Sequence, residues 1–307
     1  SGVERLRWSP VTAAATWDGA LLVARALVGG ARPATGMTDS SHWSERAEAL
    51  LAPLLHAAAL GGDDMGEVLS WVNRRDGTHA AARLRSAGTA TDLLTGLLST
   101  EDRELSAIWS TASGVLAAYR SDAALVSAGD PNFHPRSFVA GADTVFVCAS
   151  ARHQDLVAPL VVGLIEDVRA ASFERAAART AVAVGGPVPA GLGPVPGGVG
   201  PLPAGLWDGV EAPVLLALDE AANIAPLPDL PSLVSEGGSQ GVLTLACLQD
   251  LSQARRRWGA DADGFGSLCG ATVVLPGIGD VRTLEALSVL CGSEDVWVRA
   301  DSRTPGQ

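Results

Sequence analysis

Apolar residues recur at three- and four-residue spacing through the first part of the chain, then give way to short, wholly apolar runs. The first pattern is that of helices with one buried face, the second that of strands buried on both sides. A helix is expected over 17–28, with Gly29-Gly30 as its stop signal and Pro33 confirming the break. From about 38 to 128 the pattern is helical throughout, and no alternating β-branched run interrupts it. Asp39 or Ser40 is placed to cap a helix through Leu60, Asp63 one through Val72, Thr78 one to Ser86, and Thr100 a long one to Tyr119. Leu50, Leu51, Leu54, Leu55, Val68, Leu69, Trp71, Leu94, Ile108 and Leu116 fall on the inward faces. The stretch predicts an all-helical unit of four or five helices.

The character changes at Asp143. A strand is expected over 144–148 and a helix over 154–179, followed by an uncharged Gly/Pro-rich loop from 185 to 205. Strands over 214–218, 242–247, 272–275 and 295–298 then alternate with helices over 230–236, 251–258 and 281–290. Buried strands alternating with helices predict an α/β fold with a parallel sheet covered on both faces. The helical block then reads as an insertion, dividing the chain into 1–36, 37–131 and 132–307.

Composition narrows this picture. A length of 307 residues with 47% hydrophobic residues supports a large core. No apolar run reaches the roughly 18 to 20 residues that a membrane span requires. The net charge of −12 argues against nucleic-acid binding by bulk charge, so any DNA contact must come from local arginines. All 22 basic residues are arginine; the chain contains no lysine. Cys148, Cys247, Cys269 and Cys291 stand far apart without a CxxC pair, as expected of reduced core thiols in a reducing, cytoplasmic setting. The five histidines show no metal-ligand spacing.

The most informative segment is Pro213 to Glu220, an apolar strand that ends in Asp219-Glu220. Two carboxylates at the carboxyl edge of a parallel sheet stand where α/β folds bind ligands. In P-loop NTPases an aspartate there holds Mg²⁺ and a following glutamate orients the attacking water. The bland alternative is an acidic strand end that faces solvent or caps a helix. One strand later the run from Val242 ends in Gln249, an amide able to sense a γ-phosphate or an ordinary polar strand end. Arg255, Arg256 and Arg257 form the one run of three cations. They fit a helix end whose charges offset the dipole, or a contact with DNA phosphate or a neighbouring subunit's nucleotide.

Leu218 to Pro231, Glu236 to Gly241, Leu248 to Gln253 and Arg257-Trp258-Gly259 together resemble the TraG/TraD-like coupling proteins of conjugation and type IV secretion, of the FtsK/HerA-like motor branch. Phe138 to Gly141, Ala158-Pro159-Leu160, Leu275 to Asp280 and Arg7 to Val11 match further segments of that family. The resemblance implies a RecA-like P-loop NTPase motor domain with an inserted all-α domain. It makes Asp219 the Mg²⁺ holder through water, Glu220 the catalytic glutamate and Gln249 the sensor, with ATP and Mg²⁺ as cofactors. It further implies a homo-hexamer at the cytoplasmic face of the inner membrane that pumps single-stranded DNA, or a relaxase–DNA complex, into a type IV secretion channel. Relaxase or an accessory protein would dock on the helical block.

Two departures stand out. The P-loop sequence GxxxxGK[ST] is absent, and without lysine it cannot be hidden in altered form. The expectation is that it lies upstream of residue 1 and that this piece alone is inactive and monomeric; a degenerate, non-hydrolysing scaffold is the rival. The family's arginine finger would fall near Gly238, where no arginine stands. A double-stranded DNA translocase or a protein-secretion ATPase of the same branch is the other alternative.

Overall fold

The structure is a computed structural model that describes residues 4–31, 40–85, 88–183 and 212–293. The chain divides into two units, 1–247 and 248–307.

In the first unit, Ser9 caps a single turn, α1 (Pro10–Ala13). The Thr16 hydroxyl then accepts the Gly19 N–H and starts α2 (Trp17–Gly30). The long α3 (Ser40–Gly61) follows, then α4 (Met65–Arg74), whose first turn is satisfied by the Asp64 carboxylate accepting from Gly66 and Glu67 N–H. Next come α5 (Thr78–Arg83), α6 (Thr89–Leu98), α7 (Asp102–Val115), α8 (Asp122–Ala128) and α9 (Pro135–Ala140). The span from about 38 to 128, which the pattern assigned to four or five helices, holds six α-helices among the described residues, because α6 and α8 open at Gly88 and Ser121 without a side-chain cap. The 30-residue α10 (Gln154–Ala183) runs back along the unit and leads towards β1 (Val214–Leu218), α11 (Ala221–Ile224), α12 (Leu230–Glu236) and β2 (Val242–Ala246).

One hydrophobic core runs from Trp8 and Val11 through α2, α3, α4, α6 and α7 to Leu164, Val168 and Ala171 on α10. Leu50, Leu51, Leu54 and Leu55 of α3 are fully buried. Each such side chain contributes about 1.5–3 kcal/mol relative to exposure. The α2–α10 contact is unusually close. A Cβ on Gly30 would lie 2.8 Å from Pro159 Cα, and one on Gly163 would lie 2.8 Å from the Trp8 ring. A Cβ on Gly29 would meet Pro228 Cγ at 2.4 Å. Gly29-Gly30 is therefore not a stop placed beyond the helix; it forms the last turn of α2, where the Pro228 ring and the Pro159 backbone approach too closely for a side chain.

Strands β1 and β2 pair in parallel, Val214 opposite Val242 through Leu218 opposite Ala246. The ladder is extended by Val214 N–H to Gly241 O (2.9 Å) and Cys247 N–H to Leu218 O (2.9 Å). Leu216, Leu218 and Val242 are buried on one face, whereas Leu215, Leu243 and Leu245 on the other are exposed. The expectation of a broad sheet covered on both faces is thus met by two strands covered on one. The segments 144–148 and 272–275, expected as strands, form no strand. Among the described residues the sheet holds only β1 and β2, so these segments lack the adjacent strand whose backbone would complete their hydrogen bonds. The expected strand 295–298 and the whole of the loop 185–205 lie outside the described residues.

In the second unit, the Asp250 carboxylate caps α13 (Leu251–Trp258) by accepting the Gln253 N–H. A short α14 (Phe265–Leu268) follows, with Phe265 packed at 5.3 Å against the Trp258 ring. Asp280 caps α15 (Val281–Cys291). The Thr283 hydroxyl donates to Asp280 (2.6 Å) and accepts the Leu251 N–H (3.1 Å), tying the starts of α13 and α15 together.

Candidate functional site

Strand β1 ends at Leu218, and the turn that follows carries the two carboxylates. Its Ala221 N–H donates to Cys247 O at 3.2 Å, which holds the turn against the carboxyl end of β2. Asp219 is exposed there. Glu220 adopts a left-handed conformation, φ 50° and ψ 47°, that non-glycine residues rarely occupy. This redirects the chain into α11, whose Asn223 N–H donates to Glu220 O at 2.8 Å.

The Glu220 side chain is half-buried and held by two amides. Gln154 Nε2 donates to Glu220 Oε2 at 3.0 Å, and Asn223 Nδ2 donates to the same oxygen at 3.4 Å. Neither bond uses Oε1. Gln154 is the first residue of α10. The structure therefore joins Glu220 to two residues to which the sequence assigns no role. Nothing in the local spacing of the sequence singles out Gln154, which reads there as the start of a helix.

The loop after Glu220 is fixed from below. The buried Arg169 guanidinium on α10 binds Asp229 through two bonds, Nη1 to Oδ1 (3.0 Å) and Nη2 to Oδ2 (2.8 Å), and binds Glu166 at 2.7 Å. It also lies 5.5 Å above the Phe173 ring. Burial pushes the Glu166 carboxyl above its ordinary value, against the opposing pull of Arg169. Beside Glu166 on the same helix, Asp167 accepts the Trp8 indole N–H at 2.8 Å. Ser172 donates to Gly241 O at 3.1 Å, fixing the turn before β2, where Gly241 has φ 77°.

Gln249 and the three arginines belong to the second unit. The Gln249 side chain is exposed, and its N–H donates to Gln253 Oε1 at 3.1 Å. Arg255, Arg256 and Arg257 stand in the last turn of α13, as their charge suits, and Arg255 Nε donates to Asp263 at 2.7 Å.

Among the described residues no three His, Cys, Asp or Glu side chains are grouped to hold a metal. An Mg²⁺ ion does not need such a cage, because it commonly binds through one or two carboxylates, water and substrate phosphate. The exposed Asp219 carboxylate fits that role. No helix among the described residues is long and apolar enough to cross a membrane.

Residues 213–307 match the family model described as the TraM recognition site of TraD and TraG. Among solved structures, the chain is similar to the bacterial conjugative coupling protein TrwBΔN70 in its unbound form, with 18% identity and a TM-score of 0.56 over 83% of this chain and 50% of that one. It is similar to TrwB in complex with ADP and Mg²⁺, with 18% identity and a TM-score of 0.57 over 86% and 54%. TrwB with the non-hydrolysable GTP analogue GDPNP matches at 18% identity and a TM-score of 0.55, over 82% and 52%. The chain spans about half the length of these structures, and at this identity the likeness speaks for the fold. No curated protein sequence matches the chain.

Proposed function

We propose that the chain, whose residues 213–307 match the family model of the TraM recognition site of TraD and TraG, is the greater part of the motor region of a TraG/TraD-like conjugative coupling protein. The complete protein would hydrolyse ATP and move single-stranded DNA, or a relaxase–DNA complex, into a type IV secretion channel, working as a hexamer at the cytoplasmic face of the inner membrane. The observation that carries this reading is the Asp219-Glu220 pair in the turn at the carboxyl end of two parallel strands. Asp219 would hold Mg²⁺ through water, and Glu220 would orient the water that attacks the γ-phosphate. Gln249 would sense that phosphate, and Arg255, Arg256 and Arg257 would contact DNA or a neighbouring subunit's nucleotide. The bound ADP, Mg²⁺ and GDPNP of the TrwB structures support nucleotide and metal as cofactors of the complete protein.

The description of the matched family supports an accessory protein as the partner of residues 213–307. We propose the division 1–36, 37–131 and 132–307 as motor piece, inserted helical domain and motor remainder, with the helical domain as a further docking surface for relaxase. The absence of an arginine near Gly238, where the family's arginine finger would fall, favours one second reading, a non-hydrolysing scaffold. Conjugative plasmid transfer tests the motor reading against it. Glu220→Gln in the complete protein is expected to abolish transfer while ATP still binds, whereas a scaffold would transfer at the wild-type frequency.

A further inference from the structure

Glu220 occupies a backbone conformation that disfavours a side chain, and it does so where α10 begins. A left-handed residue other than glycine costs about 1–2 kcal/mol, so something in the surroundings must hold it. The Gln154 amide at 3.0 Å and the Asn223 amide at 3.4 Å converge on one carboxylate oxygen. We infer that Gln154 is the positioning residue for Glu220: it holds Oε2 so that the carboxylate keeps one orientation and offers Oε1 to a water. The inference rests on the reading of Glu220 as the water-orienting carboxylate.

The chemistry of the donor fits the task. An arginine or lysine in this place would stabilise the carboxylate as an ion and make it a weaker base. Neutral amides orient an anion without cancelling its charge. The mounting also fits. Asn223 lies three residues from Glu220 on the same turn and moves with it, whereas Gln154 is 66 residues distant in sequence. Its helix is fixed at successive points by Trp8 to Asp167, Arg169 to Asp229 and Ser172 to Gly241. A group that must aim another group is best carried on such a rigid element. Gln154 is therefore the donor that sets Glu220 relative to the core, and Asn223 the one that steadies it locally.

Two measurements test this. In the ¹⁵N-labelled chain, one side-chain amide proton of Gln154 is expected downfield, and it should move upfield on Glu220→Gln but stay in place on Asp219→Asn. If the Gln154 amide ignores Glu220→Gln, the contact does not exist in solution and the inference falls. In the complete ATP-hydrolysing protein, Gln154→Met is expected to lower kcat by about ten- to hundredfold, the scale of a misaligned reactive group, with KM for ATP unchanged. The double variant Gln154→Met/Glu220→Gln should then be no slower than Glu220→Gln alone, whereas a general structural lesion would add its own loss. If Glu220→Gln lowers turnover and Gln154→Met does not, the positioning role alone is wrong. If Glu220→Gln itself leaves turnover unchanged, the reading of Glu220 fails and the role of Gln154 fails with it.

Discussion

Arg169 and Asp229, 60 residues apart in sequence, meet in a two-bond pair at 3.0 and 2.8 Å that joins α10 to the loop following Glu220. The Arg169 side chain is only 6% exposed and the Asp229 side chain 49%, so the two ends of the pair are not equivalent. Removing the guanidinium leaves two carboxylates facing each other. Removing one charge from Asp229 leaves Arg169 still paired with Glu166.

Arg169→Met is accordingly expected to destabilise the chain by about 2–3 kcal/mol, below the usual cost of opening a fully buried pair because Asp229 is half in water. Asp229→Asn should cost about 1 kcal/mol, the scale of one weakened hydrogen bond. Urea denaturation of both variants gives the comparison. An Asp229→Asn variant as unstable as Arg169→Met would mean that Glu166 does not share the cation.

The Trp8 to Asp167 bond leads to a pH-dependent expectation. Burial pushes the Asp167 carboxyl above its ordinary 3.8, with the Trp8 hydrogen bond and Arg136 opposing and Glu174 reinforcing. The folded state therefore holds this proton more tightly than the unfolded state does. The stabilisation is complete below 3.8 and is lost as pH rises through the folded value. Asp167→Asn keeps an oxygen for the Trp8 indole and removes the ionisation. Thermal melts should show the variant gaining on the wild type as pH is raised from about 4 to 7, and an advantage that is constant with pH would contradict this.

Glycines in different surroundings should respond with opposite sign. Gly30→Ala sets a Cβ 2.8 Å from Pro159 Cα, a backbone atom that cannot turn aside, and is expected to cost about 1–3 kcal/mol. Gly96 and Gly114 lie on exposed helix surface with nothing within 4 Å of a Cβ. Alanine at either should stabilise the chain by about 0.5–1 kcal/mol. Equal effects at Gly30 and Gly96 would refute the close approach of α2 and α10.

Without a lysine or P-loop backbone to surround the β-phosphate, these 307 residues on their own should bind Mg-ATP weakly and turn it over negligibly. Isothermal titration and a phosphate-release assay provide the check. Micromolar binding with turnover would place the nucleotide on groups other than Asp219, Glu220 and Gln249.

The sequence alone determined features whose causes are local. The helices over Leu230–Glu236 and Leu251–Trp258 and the strand Val214–Leu218 stand where periodicity placed them, because apolar spacing and caps act within a few residues. The acidic turn at the end of that strand was legible for the same reason. Only tertiary structure decided the rest. The runs 144–148 and 272–275 have strand composition but no strand, since a strand exists only where a second backbone lies alongside to share its hydrogen bonds. Gly29-Gly30 carried a helix-stop signal, yet their small size serves contacts with Pro228 and Pro159, far along the chain. Gln154 looked like nothing more than a helix start until the fold brought it 3.0 Å from Glu220. Short-range order follows from the residues themselves, whereas a contact 66 residues long is created by the packing of α10 and has no trace in local spacing.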